Sequence, residues 1–402
     1  MRNKIKNFMV VVKDVPKGGP LFYGWVGFLL LIIALGVYAY SLQMRNGFIV
    51  TAVRDHVSWG FYISNFTFLV GVAAAAVLLI VPAYVYHFQP IKEIVFMGET
   101  MAISAITMCI MFVTADLGHP ERIWHLLPGP GKPNFPGSLL TWDVLVLNGY
   151  LIVNATVFFY ILYKIYEGKD YHKIMPLIIL SIPLAVSIHT VTAFLYNGLV
   201  ARPFWNASIL APRFLASAFC SGPALMILVI QIVRKVTKVD INNDAIFKIA
   251  ELIAYTIGIN IFLLGCEIYK EFYSGSIHLA PLKYMYFGLH GHNALVPWMW
   301  ASFALNIAAF AIFIIPKFRD NINTLSAGCV FIFVGVYIEK GVGLVIPGFI
   351  PETLGDIYEY MPSKVEIMVA LGIWAVGALV YTILLKFALP VYKGNLRLNS
   401  PK

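Results

Sequence analysis

The sequence predicts an all-α, polytopic membrane protein with ten transmembrane helices, and two observations carry this prediction. Of the 402 residues, 60% are hydrophobic and only 12% are charged, whereas a soluble domain carries about 25% charged residues. Apolar stretches of about 20 residues, the length a helix needs to cross a bilayer, follow one another along the chain. Together they exclude a soluble enzyme, a disordered protein and a nucleic-acid-binding module, and they place the chain in a lipid membrane.

Each predicted span is a continuous apolar run, and turns rich in Pro and Gly separate one run from the next. The start of the eighth span is the least sharply defined, because His278, His290 and His292 lie just before it. The ten spans are 22–43, 57–87, 91–115, 141–164, 174–199, 211–234, 246–272, 293–316, 323–345 and 363–388.

The first span is predicted to be a retained membrane helix. It follows a basic N-terminus, residues 1–21, in which Arg2 and four lysines lie. The apolar run 22–43 is longer than the core of a signal peptide, and no A-x-A cleavage site follows it. We therefore interpret 22–43 as an extra N-terminal transmembrane helix.

The distribution of Lys and Arg predicts the orientation of the chain. The two termini and the loops after the second, fourth, sixth and eighth spans carry 19 of the 29 basic residues. Because basic loops stay in the cytoplasm, we expect both termini to be cytoplasmic and the chain to lie in the cytoplasmic membrane. The loops after the odd-numbered spans, including the Pro- and Gly-rich segment 116–140, are then expected on the outer side.

The most informative motif is DLGHPERIWH, residues 116–125, at the outer end of the third span. Gly118 suits the turn that ends a helix, and Pro120 suits the first position of a new short helix. An interfacial anchor is one explanation, since Trp and Arg favour the headgroup depth. Five titratable residues in ten positions exceed what anchoring needs, and they favour a functional role: Asp116, His119, Glu121, Arg122 and His125.

This segment resembles the D-x-G-R/H-P-E-R-x-W-H signature of the NrfD/polysulfide reductase membrane-subunit family. The resemblance covers roughly 55–235 and is weaker to about 390, and within the family the chain is most similar to the DsrP branch of dissimilatory sulfur metabolism. The other matching residues are Trp59-Gly60, Tyr62, Asn65, His189 within IHTVT, Arg202 to Trp205, and Arg213 within PRF.

The resemblance implies an architecture and a function. It implies two four-helix bundles within a core of 57–345, with two extra helices, 22–43 and the one in 363–402, which also holds the cytoplasmic C-terminus. Such subunits carry no haem and no iron–sulfur cluster; they bind menaquinone or another membrane quinone near the outer face. A ferredoxin-like iron–sulfur subunit docks over that face. The DsrP resemblance implies further partners: a cytochrome c subunit, a cytochrome b-type subunit and a cytoplasmic catalytic subunit.

A quinone needs an apolar slot, hydrogen-bond partners for its two carbonyls and groups that move protons. Residues expected to meet around such a pocket lie on the second, third and fifth spans: Trp59, Tyr62, Asn65, Asp116, His119, His189 and Tyr196. Trp59, Tyr62 and Asn65 are spaced to share one side of a helix. Alternatives stay open: an aromatic belt for Tyr62 and Tyr196, interhelical hydrogen bonding for Asn65, and an inert core position for His189.

Several carboxylates lie within predicted spans, where an unpaired charge facing lipid is costly. One hypothesis is a proton path toward the quinone pocket along Glu99, Glu251, Glu267 and Glu271. The alternative is salt-bridged packing, for example of Lys340 with Glu267 or Glu366. Arg213 is expected to pair with Asp116 or Glu121.

Two other functions compete with the quinone subunit. A di-haem cytochrome b subunit needs paired histidines at matching depths, and only His189 of the nine histidines lies deep in a span. A secondary transporter or proton channel fits the scattered carboxylates, but no paired Gly/Pro breaks mark two halves. The four cysteines and the histidines lack the spacing of a metal site, so no metal is expected.

Overall fold

A computed structural model describes residues 18–127, 129–276, 278–351 and 355–394. Most of the predicted basic N-terminus and the end of the C-terminal segment lie outside these residues. The described part confirms ten membrane-spanning helices. They are α1 (Pro20–Asn46), α2 (Phe61–Ile80), α3 (Val95–Asp116), α4 (Leu139–Glu167), α5 (Met175–Asn197), α6 (Leu210–Thr237), α7 (Asn243–Ser274), α8 (Val296–Ile314), α9 (Ile322–Val336) and α10 (Lys364–Tyr392).

The ten helices form two four-helix bundles and one additional pair. Helices α2, α3, α4 and α5 pack in a closed ring, the first bundle, and α6, α7, α8 and α9 form the second. The two rings meet chiefly where α2 packs on α6, whereas α1 pairs with α10, which in turn packs on α3. Helix α2 is buried along nearly its whole length, because helices rather than lipid surround it. The predicted architecture is thus confirmed.

Small residues allow the closest helix contacts. A Cβ atom on Gly36 of α1 would lie 2.7 Å from the Cα of Gly372 on α10, so neither glycine accepts a side chain there. At the contact between the bundles, Gly222 of α6 packs directly on Ala75 of α2. Lipid supplies no hydrophobic force between helices, so close backbone packing of this kind holds such interfaces together.

Two helices continue into wider, π-type turns, at Val81–Val85 after α2 and at Tyr337–Val342 after α9. Turns of this kind occur often at functional sites. The second helix begins at Phe61 rather than at 57 as predicted, so Trp59 lies in the segment before it. The shared helical face predicted for Trp59, Tyr62 and Asn65 is therefore wrong for Trp59.

The loops after the odd-numbered helices lie together on one side of the molecule, which we call the motif face because it carries residues 116–125. We call the other side the opposite face. Hydrogen bonds link the loops of the motif face to one another. His278 Nδ1 lies 2.7 Å from the Pro203 carbonyl, and the Ala294 N–H donates to Glu359 at 2.8 Å. This ordered cap positions the site described next.

Candidate functional site

The site begins where the chain enters α2 from the motif face. The Phe61 N–H donates to Tyr360 Oη at 2.8 Å, and the Tyr360 hydroxyl donates to Glu366. Glu366 is fully buried at the start of α10, where it also accepts hydrogen bonds from the Ala52 and Ser363 N–H groups. Glu366 thus has neutral partners, so its suggested ion pair with Lys340 is wrong, and its role is to hold three segments together.

Tyr62 joins three helices through one hydrogen-bond chain. Its hydroxyl donates to Gln43 Oε1 at 2.7 Å, and Gln43 Nε2 donates to the Ala115 carbonyl at 2.8 Å. Both side chains are buried. Gln43 was not among the predicted site residues, although an amide in an otherwise apolar span was a signal for it.

Asp116 is the last residue of α3 and directly follows Ala115, whose carbonyl accepts the hydrogen bond from Gln43. One of its carboxylate oxygens is buried and, within the described residues, has no hydrogen-bond partner. The Asp116 carboxyl is within electrostatic range of both Tyr62 and Tyr196, so the three side chains lie in the same part of the motif face. A buried carboxylate oxygen without a partner is costly and indicates a place for a ligand or a proton.

Four aromatic rings cluster around Tyr196, near the motif-face end of α5. Tyr196 is buried, and its hydroxyl shares a hydrogen bond with Thr67. The Trp59 ring lies 5.4 Å from the Tyr196 ring and 5.5 Å from the Trp205 ring. Phe349 closes the group at 5.0 Å from Trp205. We call these four rings the aromatic wall; Trp205 and Phe349 were not among the predicted site residues.

Asn65 has its own set of hydrogen-bond partners. Its Oδ1 accepts hydrogen bonds from the Tyr337 hydroxyl at 3.1 Å and from Trp374 Nε1 at 2.9 Å, so it links α2 to α9 and α10. Its Nδ2 donates to the Phe61 carbonyl at 2.7 Å. These contacts match the interhelical alternative for Asn65, which is separate from the Tyr62 chain.

The rest of the motif is exposed. Residues Pro120–Leu126 form the predicted short helix, of the tight 3₁₀ type. His119 Nδ1 lies 2.8 Å from Glu121 Oε1, and the two side chains are 67% and 57% exposed. The pKa of Glu121 lies below its usual value, because the Glu121 backbone N–H and the His119 side chain both form hydrogen bonds with its carboxylate. The predicted position of His119 beside Tyr62 in the pocket is therefore wrong.

The motif thus divides into two parts. Asp116 belongs to the buried region, whereas the exposed part is a mixed-charge surface with one large aromatic side chain. We call this surface the motif patch; it comprises His119, Glu121, Arg122, Trp124 and His125.

His189 lies deeper in the first bundle, about 12 Å below the end of α5 at 1.5 Å per residue. The ring is fully buried, and Nδ1 lies 3.0 Å from the Ala185 carbonyl. Its Nε2 has no partner among the described residues. His189 is therefore below the aromatic wall rather than in it.

Arg213 forms a buried ion-pair cluster inside the second bundle. It pairs with Glu267 of α7 and with Glu339 at 3.0 Å, so the predicted pairing with Asp116 or Glu121 is wrong. Lys340 donates to the Phe214 carbonyl at 2.9 Å, which also rules out the suggested Lys340–Glu267 pair. A cavity of about 20 Å³, room for one water molecule, lies between Arg213, Glu339 and Lys340.

The remaining carboxylates of the hypothetical proton path have different surroundings. Glu99 is buried in α3, and neither of its oxygens has a partner within the part of the chain that the structure describes. Glu271 pairs with Lys270 at 2.9 Å. Glu251 lies toward the opposite-face end of α7, as expected; it is 36% exposed and pairs with Lys248 at 2.9 Å.

Comparison with known proteins identifies the family. The family model "Polysulphide reductase, NrfD" matches residues 49–350. A putative membrane subunit of a dimethyl sulfoxide reductase, from Halobacterium salinarum, is 24% identical, with 90% of each chain covered. The integral membrane subunit of an Hdr-like menaquinol oxidoreductase of Archaeoglobus fulgidus is 22% identical over 92% of this chain and 93% of its own.

A third relative is the integral membrane subunit of the menaquinone reductase of Nitratidesulfovibrio vulgaris, 21% identical with 94% of each chain covered. All three relatives are membrane subunits and match this chain over nearly its whole length. With the family match over three quarters of the sequence and the ten apolar helices, the conclusion is that this chain is a multi-pass membrane protein of the polysulphide reductase NrfD family.

Proposed function

We propose that this chain is the quinone-binding membrane subunit of a multi-subunit redox complex. It exchanges electrons between the membrane quinone pool, menaquinone or a similar quinone, and an iron–sulfur subunit on the motif face. The observation that carries the proposal is the partnerless buried oxygen of Asp116, whose carboxyl is within electrostatic range of Tyr62 and of Tyr196, a member of the aromatic wall. Two relatives whose names include menaquinol or menaquinone support the choice of ligand.

The residues suit the chemistry that a quinone requires. Reduction of a quinone adds two electrons and two protons, and oxidation of the quinol removes them. Trp59 and its neighbours in the aromatic wall offer flat apolar faces for the ring. The hydroxyls of Tyr62 and Tyr196 are hydrogen-bond donors for the carbonyls, and Asp116 is the group that gives or takes a proton. Gln43 holds the Tyr62 hydroxyl in place.

The motif patch is proposed as the docking surface for the iron–sulfur subunit. Exposed residues of both charges next to Trp124 are typical of a protein interface. Replacing His119 or Arg122 by Ala is expected to stop quinone-linked electron transfer by weakening this contact, while the membrane helices still fold. Co-purification of the iron–sulfur subunit measures it; full activity and full co-purification in both variants would reduce the patch to a membrane anchor.

The orientation proposed for the chain follows the distribution of basic residues. The motif face is the outer side of the cytoplasmic membrane, and both termini are cytoplasmic. If the chain serves a DsrP-type complex of sulfur metabolism, its partners also include a cytochrome c subunit, a cytochrome b-type subunit and a cytoplasmic catalytic subunit.

A second candidate function is ion or proton transport, and one observation favours it. The charged cluster around Arg213 is buried in the second bundle and borders a small cavity. Intramembrane charges of this kind often mark ion pathways. A transport protein works without an iron–sulfur partner, so activity of the chain alone in liposomes would favour this candidate.

The test is quinone extraction from the native complex, purified in mild detergent, followed by mass spectrometry. We expect quinone to co-purify with the wild type. Asp116→Asn is expected to lose the quinone or to turn over at least about tenfold more slowly. Asp320→Asn is expected to keep the quinone content and turnover of the wild type. Asp320 is the matched control because it is exposed on the opposite face. An optical spectrum of the isolated chain belongs to the same experiment, since haem bands, or a wild-type complex without quinone, would overturn the proposal.

A further inference from the structure

The additional pair of helices, α1 and α10, is hydrogen-bonded to the start of α2. Gln43, near the end of α1, accepts from the Tyr62 hydroxyl at 2.7 Å. Tyr360, which lies just before α10, accepts from the Phe61 N–H at 2.8 Å. The pair lies outside both bundles, yet these two contacts reach the first two residues of α2, at the proposed quinone site.

Tyr360 supplies the cap that α2 lacks. The first N–H groups of a helix have no acceptor within the helix, and Gly60, at the N-cap of α2, has no side chain to provide one. Tyr360 Oη takes this place, although it lies 299 positions from Phe61 in the chain. A Cβ atom on Gly60 would lie 2.5 Å from Tyr360 Oη, so the glycine leaves room for the hydroxyl. The segment before α10 therefore fixes the start of α2.

Glu366 holds Tyr360 in this position. The Tyr360 hydroxyl donates to Oε1 of Glu366, which leaves the hydroxyl oxygen free to accept from the Phe61 N–H. The other oxygen, Oε2, accepts from the Ala52 N–H at 2.7 Å and from the Ser363 N–H at 2.8 Å. The Glu366 side chain is 0% exposed. A buried carboxylate with three donors is fixed in one orientation, because hydrogen bonds to a charged acceptor are the strong ones.

The capped turn carries Tyr62 of the proposed site. Tyr62 directly follows Phe61 and is fully buried. It lies within electrostatic range of both Glu366 and Asp116, and Tyr360 lies within electrostatic range of Tyr62. Because adjacent residues in one helical turn move together, a shift of the Phe61 backbone would also shift the Tyr62 hydroxyl relative to Asp116. The hydrogen bond to Tyr360 therefore fixes Tyr62 through its backbone.

The two helices of the additional pair are in close contact along their length. A Cβ atom on Gly36 of α1 would lie 2.7 Å from the Cα of Gly372 on α10. Nearer the opposite face, Trp25 Nε1 donates to Thr382 Oγ1 at 3.2 Å. Close backbone packing and hydrogen bonds between helices hold such pairs together in a membrane. The additional pair therefore holds the start of α2 as one unit.

We propose that the additional pair is part of the quinone site, with Tyr360 and Glu366 as positioning residues that act on the quinone through Tyr62. This inference rests on the proposed function, in which Tyr62 contacts the quinone. Tyr360 and Glu366 hold the first turn of α2, and Tyr62 then presents its hydroxyl at a fixed place in the part of the motif face that contains Asp116. A helix pair that only anchored the chain in lipid would leave quinone binding unaffected.

The test measures the binding of 2-heptyl-4-hydroxyquinoline N-oxide, a menaquinol analogue whose fluorescence falls on binding, to the native complex. We expect Tyr360→Phe to raise its Kd about fivefold, the factor that one hydrogen bond contributes. Gly60→Ala is expected to raise the Kd similarly, because the new methyl group pushes Tyr360 away. Tyr284→Phe is the matched control. The Tyr284 hydroxyl also donates to a glutamate of the motif face, but to Glu359, at 3.4 Å, so this variant is expected to keep the wild-type Kd.

A double-mutant cycle separates positioning from general loosening of the protein. Tyr62→Phe is expected to raise the Kd by itself, and adding Tyr360→Phe to it is expected to change the Kd by less than about a further twofold. Effects that multiply would show that Tyr360 acts independently of Tyr62, and they would overturn the inference. If Tyr360→Phe does not accumulate in the membrane, Gly60→Ala replaces it in the cycle.

Two other results would also overturn the inference while the quinone site stands. One is a wild-type Kd in both Tyr360→Phe and Gly60→Ala, and the other is an equal rise of the Kd in Tyr284→Phe. A wild-type complex that contains no quinone and does not bind the analogue would overturn the proposed function and this inference together.

Discussion

Both bundles bury ionisable side chains inside the membrane, but the two sets of side chains are stabilised differently. In the second bundle the charges neutralise one another, with Arg213 between Glu267 and Glu339. In the first bundle Glu99 has no partner among the described residues, and Asp143 accepts a hydrogen bond from a neutral hydroxyl. A paired charge stabilises one arrangement of helices, whereas a lone titratable group keeps two protonation states accessible. The difference favours a structural role for the charges of the second bundle, and it leaves the buried carboxyl groups of the first bundle able to change protonation state.

The largest effect on stability is expected from Arg213→Met. Removing the arginine takes the ion-pair partner away from two buried carboxylates, Glu267 and Glu339, at a cost of about 3–5 kcal/mol. The variant is expected to lose thermal stability or fail to accumulate in the membrane. The triple variant Arg213→Met, Glu267→Gln, Glu339→Gln is expected to recover much of the loss. Thermal unfolding in detergent measures both, and a stable single variant would contradict the structural role of the cluster.

The opposite pattern is expected from Asp143→Asn in the first bundle. The amide has the same shape and still accepts the hydrogen bond of Thr192, so we expect the unfolding temperature to stay near that of the wild type. Turnover is expected to fall at least about tenfold, because an amide cannot act as a proton donor and acceptor in the way a carboxyl group does. Wild-type turnover together with reduced stability would make the first bundle resemble the second and remove the contrast.

A smaller effect on stability is expected from Asn65→Leu. The change leaves the Tyr337 hydroxyl and Trp374 Nε1 without their shared acceptor, at about 1–3 kcal/mol. Because Asn65 faces α9 and α10, quinone content is expected to remain at the wild-type level.

Tyr62→Phe is the companion variant: it retains the ring, and we expect slower turnover at saturating quinone. Equal kinetics for Tyr62→Phe and the wild type would remove Tyr62 from the site.

The smallest effect is expected from Glu251→Gln. Its ion pair with Lys248 is partly exposed, and such pairs contribute about 0–1 kcal/mol. Turnover, charge movement and stability are all expected to match the wild type. A clear loss of turnover or charge movement would favour the hypothesis that Glu251 belongs to a proton path.

Local features were accessible from sequence because they depend on one segment at a time. The spans follow from the length of apolar runs, and the short helix after Pro120 follows from the turn chemistry of residues 118–121. The sequence could not predict that the motif has a buried and an exposed part. Asp116 and His119 are only three residues apart, and the position at which α3 ends decides which of them is buried. Trp59 was misplaced because the start of a helix among apolar residues has no sharp signal.

The sequence by itself determined that this is a ten-helix membrane protein with an NrfD-type motif, since hydropathy and motif spacing are written in consecutive residues. Tertiary structure alone decided the partners of the buried polar groups. Arg213 meets Glu339 across 126 positions, and Tyr62 meets Gln43 in a different helix. The physical reason is that each of these side chains had several complementary partners at a similar depth, and only the packing of the helices brings one of them within hydrogen-bond distance.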